Sequence, residues 1–211
     1  QGVCFHGAGS DEKFYFDPDF STTRTTSFST AIAEPRANIL DFPDIVRLVG
    51  NKHVLGVARE FLGALPRISG MSLTLNQAGK DGGIPSSNWH YDKGPIGALK
   101  MFVYLNDINP RSGPHAFVAG SQDTKRLEAA VIERYPSDPG TAKELFYRQR
   151  WSEEEMDAVF PNQQIIHTGP AGLAIFEDTR GFHRATHLAT DHRLMITVEW
   201  ALDPAPTGGS P

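Results

Sequence analysis

The stretch Arg193–Ala201, "RLMITVEWA", alternates along its whole length. In an extended chain Leu194, Ile196, Val198 and Trp200 stand on one face, and Arg193, Met195, Thr197 and Glu199 on the other. The first face is apolar and belongs against a core. The second mixes a cation, a hydroxyl and an anion, which suits the wall of a cavity. Two other stretches share the pattern. "GMSLTLN" (70–76) sets Met71, Leu73 and Leu75 against Ser72, Thr74 and Asn76, and "ALKMFVYLND" (98–107) sets Leu99, Met101, Val103 and Leu105 against Lys100, Phe102 and Tyr104. Strands with one apolar and one mixed face fit a sheet covered by helices on one side and lining a chemical site on the other.

Working outward, helical periodicity precedes these strands. In "DFPDIVRLVG" (41–50) Phe42, Ile45, Val46 and Val49 share a face, Asp41 can cap, and Pro43 sits in the first turn. "NKHVLGVAREFLG" (51–63) has Asn51 as cap and Gly63 as stop, and Ser152 and Glu155 of "SEEEMDAVF" (152–160) have capping-box spacing. Short strands follow, joined by Gly/Pro turns such as "PRSGPH" (110–115) and "TGPAG" (168–172). The expected fold class is mainly β with supporting helices, a β-sandwich or jelly roll. One domain is expected over 1–203, with helical support at about 41–63, the jelly-roll core at about 68–202, and a flexible tail at 204–211 in "DPAPTGGSP". Residues 1–38, rich in Gly, Ser, Thr and Phe, read as strand and loop.

Bulk properties exclude some classes. With 211 residues the chain can bury a sizeable core, and a formal charge of −5 with both signs scattered argues against a nucleic-acid partner. No run of about 18 apolar residues is present, so no membrane span is expected. A single cysteine, Cys4, rules out an intramolecular disulfide and suits a reducing, cytoplasmic setting.

The chemistry begins at "NWHYDKG" (88–94). If this segment is extended, His90 and Asp92 share a face while Trp89, Tyr91 and Lys93 take the other. A histidine–carboxylate pair alone is a weak signal and needs a third ligand. His183, following a predicted strand and a turn at Gly181, is the candidate, and Arg193 opens the next strand ten positions later. Two histidines and one carboxylate with open positions are the ligand set of non-haem Fe(II) oxygenases. Zinc could also accept these donors, yet a hydrolytic zinc site gives no reason for an arginine in the same cavity. A guanidinium there can hold a carboxylate by paired hydrogen bonds, so a dicarboxylate such as 2-oxoglutarate would chelate iron at one end and meet Arg193 at the other. The plain alternative pairs Arg193 with Glu199 or Asp191 at the surface.

The order "WHYD" (89–92), "LKMFVYLNDINPRSGPHAFVAGSQ" (99–122), "GPAGLAIFEDTRGFHRA" (169–185) and "HRLMITVEW" (192–200) resembles the phytanoyl-CoA dioxygenase family of Fe(II)- and 2-oxoglutarate-dependent oxygenases, over roughly Met71 to Trp200. The resemblance implies a double-stranded β-helix, iron held by His90, Asp92 and His183, and Arg193 on the far carboxylate of 2-oxoglutarate. It also implies a dioxygenase using O2 that hydroxylates, or otherwise oxidises, a small molecule with release of succinate and CO2. The family often places a serine two positions after the distal histidine to assist the arginine. Ala185 stands there, so Thr186 or Thr197 is expected to substitute, and Asn76 is the candidate polar contact on the preceding strand. Tyr91, Lys93, Lys100, Tyr104, Phe117, Arg180 and Phe182 could border the substrate pocket, the aromatics among them reading equally well as core. His115 reads as packing or substrate contact, and His187, four residues after His183, as a turn residue. Two other readings remain at this point: a zinc-dependent jelly-roll hydrolase or isomerase, and a non-catalytic binding module.

Overall fold

The computed structural model describes residues 4–7, 13–15, 30–33, 42–76, 88–94, 97–186 and 191–202. In chain order the elements are β1 (Cys4–Gly7), β2 (Lys13–Tyr15), β3 (Thr30–Ala33), α1 (Pro43–Val49), α2 (Lys52–Leu62), β4 (Arg67–Asn76), β5 (Trp89–His90) and β6 (Ala98–Tyr104). They continue with β7 (His115–Val118), α3 (Thr124–Arg134), α4 (Pro139–Tyr147), β8 (Arg150–Trp151), α5 (Glu153–Val159), β9 (Gln164–His167), β10 (Ala174–Glu177), β11 (His183–Ala185) and β12 (Arg193–Ala201). The strands form a seven-stranded sheet, β10-β6-β12-β4-β3-β1-β2, and a five-stranded sheet, β8-β5-β11-β7-β9. All named pairings are antiparallel. The fold is mainly β with supporting helices, a double-stranded β-helix or jelly roll.

The alternation of "RLMITVEWA" organises the larger sheet. Ile196, Val198 and Trp200 pack with Leu99, Met101 and Val103 of β6 and with Ala58 and Leu62 of α2, so the apolar face lies under the helices. Met195, from the other face, joins Phe102, Tyr104, Ile108 and Ile175 in a separate interior cluster. β12 sits between β4 and β6, in continuous register with β6 and with an irregularity against β4 between Glu199 and Trp200. Arg193 is thereby opposite Asn76, and Glu199 opposite Lys100.

The smaller sheet is covered on its outer face by α3, α4 and α5, where Trp89, Ala116 and Val118 from the strands and Phe182 from the turn before β11 meet Leu127, Val131, Leu145 and Met156 from the helices. Fully burying apolar side chains of this size stabilises by about 1.5–3 kcal/mol each. Local signals explain the helix ends. Asn51 Oδ1 accepts from His53 N at 2.9 Å, Gly63 ends α2 with φ 68°, and α5 carries the full Ser152–Glu155 capping box. α1 starts at Pro43 after Phe42, which makes no side-chain capping bond, and the expected cap Asp41 lies outside the described residues, as does the 204–211 tail. α3 and α4 add to the expected set, capped by Asp123 and Asp138, with Pro139 in the first turn of α4. Among the described residues no helix is long and apolar enough to cross a membrane.

Candidate metal centre

β5 is only Trp89 and His90, and its alternation does two jobs. Trp89 is driven fully into the core under α3–α5, which turns His90 toward the interior. Just before the neighbouring strand Phe182 is buried outward, while His183, the first residue of β11, points inward, directly opposite His90 in register. Asp92 follows β5 in irregular chain, fixed by its N–H donating to the Thr179 carbonyl at 2.8 Å. The three side chains offer ligand atoms that all lie within 4.8 Å of one another, and His183 Nε2 is 3.8 Å from Asp92 Oδ2.

Hydrogen bonding orients both rings. His90 Nδ1 lies 2.9 Å from the Asn88 carbonyl and His183 Nδ1 lies 3.0 Å from the Gly181 carbonyl. Each Nδ1 therefore carries the proton and donates, leaving Nε2 as the free lone pair, which is how backbone carbonyls orient metal-bound histidines. Burial holds His183 down to about 4 and His90 below the usual imidazole value, so both rings are neutral at neutral pH. Burial disfavours ionisation of Asp92, but the hydrogen bond and charge of Lys100 outweigh it and hold the carboxyl below its ordinary value. Two neutral imidazoles and a carboxylate form a donor set that fits a divalent metal without first losing protons.

Gly181 makes this turn possible. A Cβ there would stand 2.6 Å from Phe117 Cε2 and 3.0 Å from Ser121 Oγ. The same serine oxygen accepts from Phe182 N at 2.7 Å, so the chain just before His183 is clamped to the end of β7.

Arg193 is 3% exposed. Its Nη2 donates to Asn76 Oδ1 at 2.9 Å and its Nη1 to the Gly113 carbonyl at 2.5 Å. Its hydrogen-bond partners among the described residues are neutral oxygens, and burial lowers it to about 10. The surface pairing with Glu199 or Asp191 is absent among the described residues: Glu199 faces Lys100, and Asp191 pairs with Arg111. A buried guanidinium whose hydrogen-bond partners among the described residues are all neutral favours an incoming anion.

The remaining candidates separate. Lys100 Nζ is 2.6 Å from Asp92 Oδ2, beside the triad. Tyr104 is fully buried, donating to the His167 carbonyl and accepting from His115 N, both at 2.9 Å. Phe117 is half-buried opposite His183. Tyr91 and Phe182 pack edge-to-face at 5.5 Å within the outer core. Lys93 is exposed, and Arg180 is exposed and bound to Asp178. Neither expected hydroxyl meets Arg193. Thr186 Oγ1 donates to the Pro114 carbonyl at 3.0 Å, and Thr197 is four positions along β12, about 13 Å away by strand rise. His187 lies outside the described residues.

Sequence reading passed over Glu177. It is 4% exposed, its Oε2 lies 2.7 Å from His115 Nε2, and its Oε1 lies 3.5 Å from His183 Nδ1. The available signal was its place at the end of the alternating "AIFE" strand, three residues past Ala174 and on the face of Ile175.

No family model matches the chain, and no curated protein matches it in sequence. Solved structures match it in fold. The non-heme alpha ketoglutarate dependent epimerase SnoN from nogalamycin biosynthesis superposes with a TM-score of 0.56 at 19% identity, over 87% of this chain and 72% of that one. EctD from S. alaskensis with bound Fe gives 0.53 at 18% identity, over 93% and 66%. EctD with 2-oxoglutarate and 5-hydroxyectoine gives 0.51 at 18% identity, over 87% and 65%. At these identities the likeness is one of fold, and it is to the jelly roll of iron- and 2-oxoglutarate-dependent enzymes.

Proposed function

We propose that the chain is an Fe(II)- and 2-oxoglutarate-dependent dioxygenase of the phytanoyl-CoA dioxygenase type, hydroxylating a small organic molecule with release of succinate and CO2. The observation that carries the reading is the coexistence of a two-histidine, one-carboxylate cluster with a buried guanidinium whose hydrogen-bond partners among the described residues are neutral. The first accounts for iron; the second calls for a carboxylate.

In this reading His90, Asp92 and His183 hold the metal, and it supplies the oxygen-activating chemistry that side chains lack. Three protein ligands leave room for a chelating co-substrate and O2. Arg193 receives the far carboxylate through charge-assisted hydrogen bonds, with Asn76 holding the guanidinium plane. Burial of that contact excludes water and fixes the co-substrate's reach. Lys100 and Phe117 are the candidates for the substrate side of the pocket.

Anaerobic addition of Fe(II) and 2-oxoglutarate to the metal-free protein tests this directly. A weak visible charge-transfer band is expected, lost in His183→Ala along with stoichiometric iron. Arg193→Ala should weaken 2-oxoglutarate by about 2–4 kcal/mol, the loss of hydrogen bonds to a charged group, with little effect on iron. Tight zinc without 2-oxoglutarate binding would replace the proposal with a hydrolase or isomerase, and failure to bind any metal would leave a binding module.

A further inference from the structure

Asp92 lies beyond the end of a two-residue strand, and the bond from its N–H to the Thr179 carbonyl fixes its backbone but not the rotation of its carboxylate. What holds it comes from the opposite sheet. Lys100 projects from β6 with its Nζ 2.6 Å from Asp92 Oδ2, and it stands in register between Glu177 on β10 and Glu199 on β12. Glu199 Oε2 is 3.4 Å from the same ammonium, and Glu199 Oε1 accepts from Ser69 Oγ on β4 at 2.9 Å. A polar chain, Ser69–Glu199–Lys100–Asp92, thus crosses β4, β12 and β6 and ends on a candidate metal ligand. The Asp92 and Lys100 side chains are 28% and 21% exposed, so the pair is sheltered enough to be well ordered, unlike a fully exposed ion pair.

We propose that Lys100 is a positioning residue: anchored to the large sheet through Glu199 and Ser69, it pins one oxygen of Asp92 so that the carboxylate meets a metal in a single, fixed orientation. This rests on the reading of His90, Asp92 and His183 as a metal site. A carboxylate free to rotate would present both oxygens and fill a position that a co-substrate needs. Thr179 also bonds the Asp92 side chain, but Lys100 is the partner that ties it to the sheet carrying Arg193.

The proposal has a sign that simple electrostatics lacks. An ammonium beside a divalent cation repels it, so removing the charge would tighten metal binding if Lys100 acted only through its field. If Lys100 positions Asp92, removing it weakens binding. Co(II) is the probe, titrated anaerobically into the full metal-free chain and read through its d–d absorption. Lys100→Met is expected to raise the Co(II) dissociation constant by about 10–100-fold, the usual cost of losing a group that orients a metal ligand. Its d–d band should also change intensity as Asp92 turns, and Lys100→Arg should restore most of the affinity and the band. Should Lys100→Met fail to fold, Lys100→Gln carries the same comparison. Equal or tighter Co(II) binding with an unchanged band overturns the proposal while leaving the metal site intact, provided His183→Ala abolishes binding in parallel. No Co(II) binding by the unaltered chain overturns both.

Discussion

Glu177 and His183 face each other with opposite debts to burial. Burial raises Glu177 to about 7 and lowers His183 to about 4. A raised carboxyl contributes stability that is present below its unfolded value, near 4.5, and is lost as pH climbs through about 7. A lowered imidazole does the reverse, contributing above its unfolded value, near 6.5, and losing that contribution as pH falls through about 4. In the metal-free protein the two slopes oppose each other between about pH 4.5 and 6.5. Glu177→Gln removes one of them. Relative to the parent, the variant should therefore gain stability as pH rises from about 4.5 to 7, measured by urea melts in the presence of chelator; parallel pH profiles would show that Glu177 does not titrate where its burial places it. At this scale the sequence was legible where chemistry and spacing coincide. His90, Asp92 and His183 are brought together, and Arg193 meets Asn76 across the strands. It was not legible at Glu177, because a glutamate next to Asp178 at a strand end looks solvated, and its burial arises from cross-strand neighbours. The expected hydroxyl partners of Arg193 failed for a related reason: Thr186 is drawn to a loop carbonyl, and Thr197 shares a face with Arg193 without being near it.

Among the elements, turns and caps divide into those that hold the fold and those that hold the site. Ser152 belongs to the first kind. Its hydroxyl accepts from Glu155 N while the Glu155 carboxylate accepts from Ser152 N at 2.8 Å, so Ser152→Ala should cost about 1 kcal/mol of stability with metal affinity unchanged. Gly181 belongs to the second. An added methyl must displace Phe117 or Ser121, an overpacking that costs about 1–3 kcal/mol, and the shift passes to the carbonyl that orients His183. Gly181→Ala should therefore lose both thermal stability and Co(II) affinity, and a variant matching the parent in both would show that the turn relaxes without moving the ring. α2 was readable because the cap Asn51 and the stop Gly63 bracket one helical segment, and α5 because Ser152 and Glu155 have capping-box spacing. α3 and α4 were less so. Each commits just two buried residues, Leu127 and Val131 in one and Ala142 and Leu145 in the other, too few to mark a clear apolar face in the sequence.

Across the whole molecule, the candidate metal ligands sit on or just beyond strands of the five-stranded sheet, while Arg193, Asn76 and Lys100 belong to the seven-stranded one. Each sheet has its own helical cover and its own outer core, so the interior is where the halves of the jelly roll meet. A co-substrate that chelates metal at one end and reaches Arg193 at the other would bridge the two sheets. That geometry makes its binding conditional. Without metal, 2-oxoglutarate keeps one anchor and should shift the melting temperature little; metal alone should stabilise by its own increment. Together, with 2-oxoglutarate at 100 times its dissociation constant, they should add about 2.7 kcal/mol beyond metal alone. For a chain of this size that corresponds to roughly 5–10 °C in melting temperature. Arg193→Ala should remove most of the 2-oxoglutarate increment and keep the metal increment, whereas His183→Ala should erase both, because loss of the metal removes the anchor on which the second ligand depends. Differential scanning calorimetry of the three proteins under anaerobic Fe(II), with and without 2-oxoglutarate, reads all of these increments. Equal stabilisation by 2-oxoglutarate with and without metal would mean that it binds through one sheet only, and that Arg193 and the triad do not serve a common ligand.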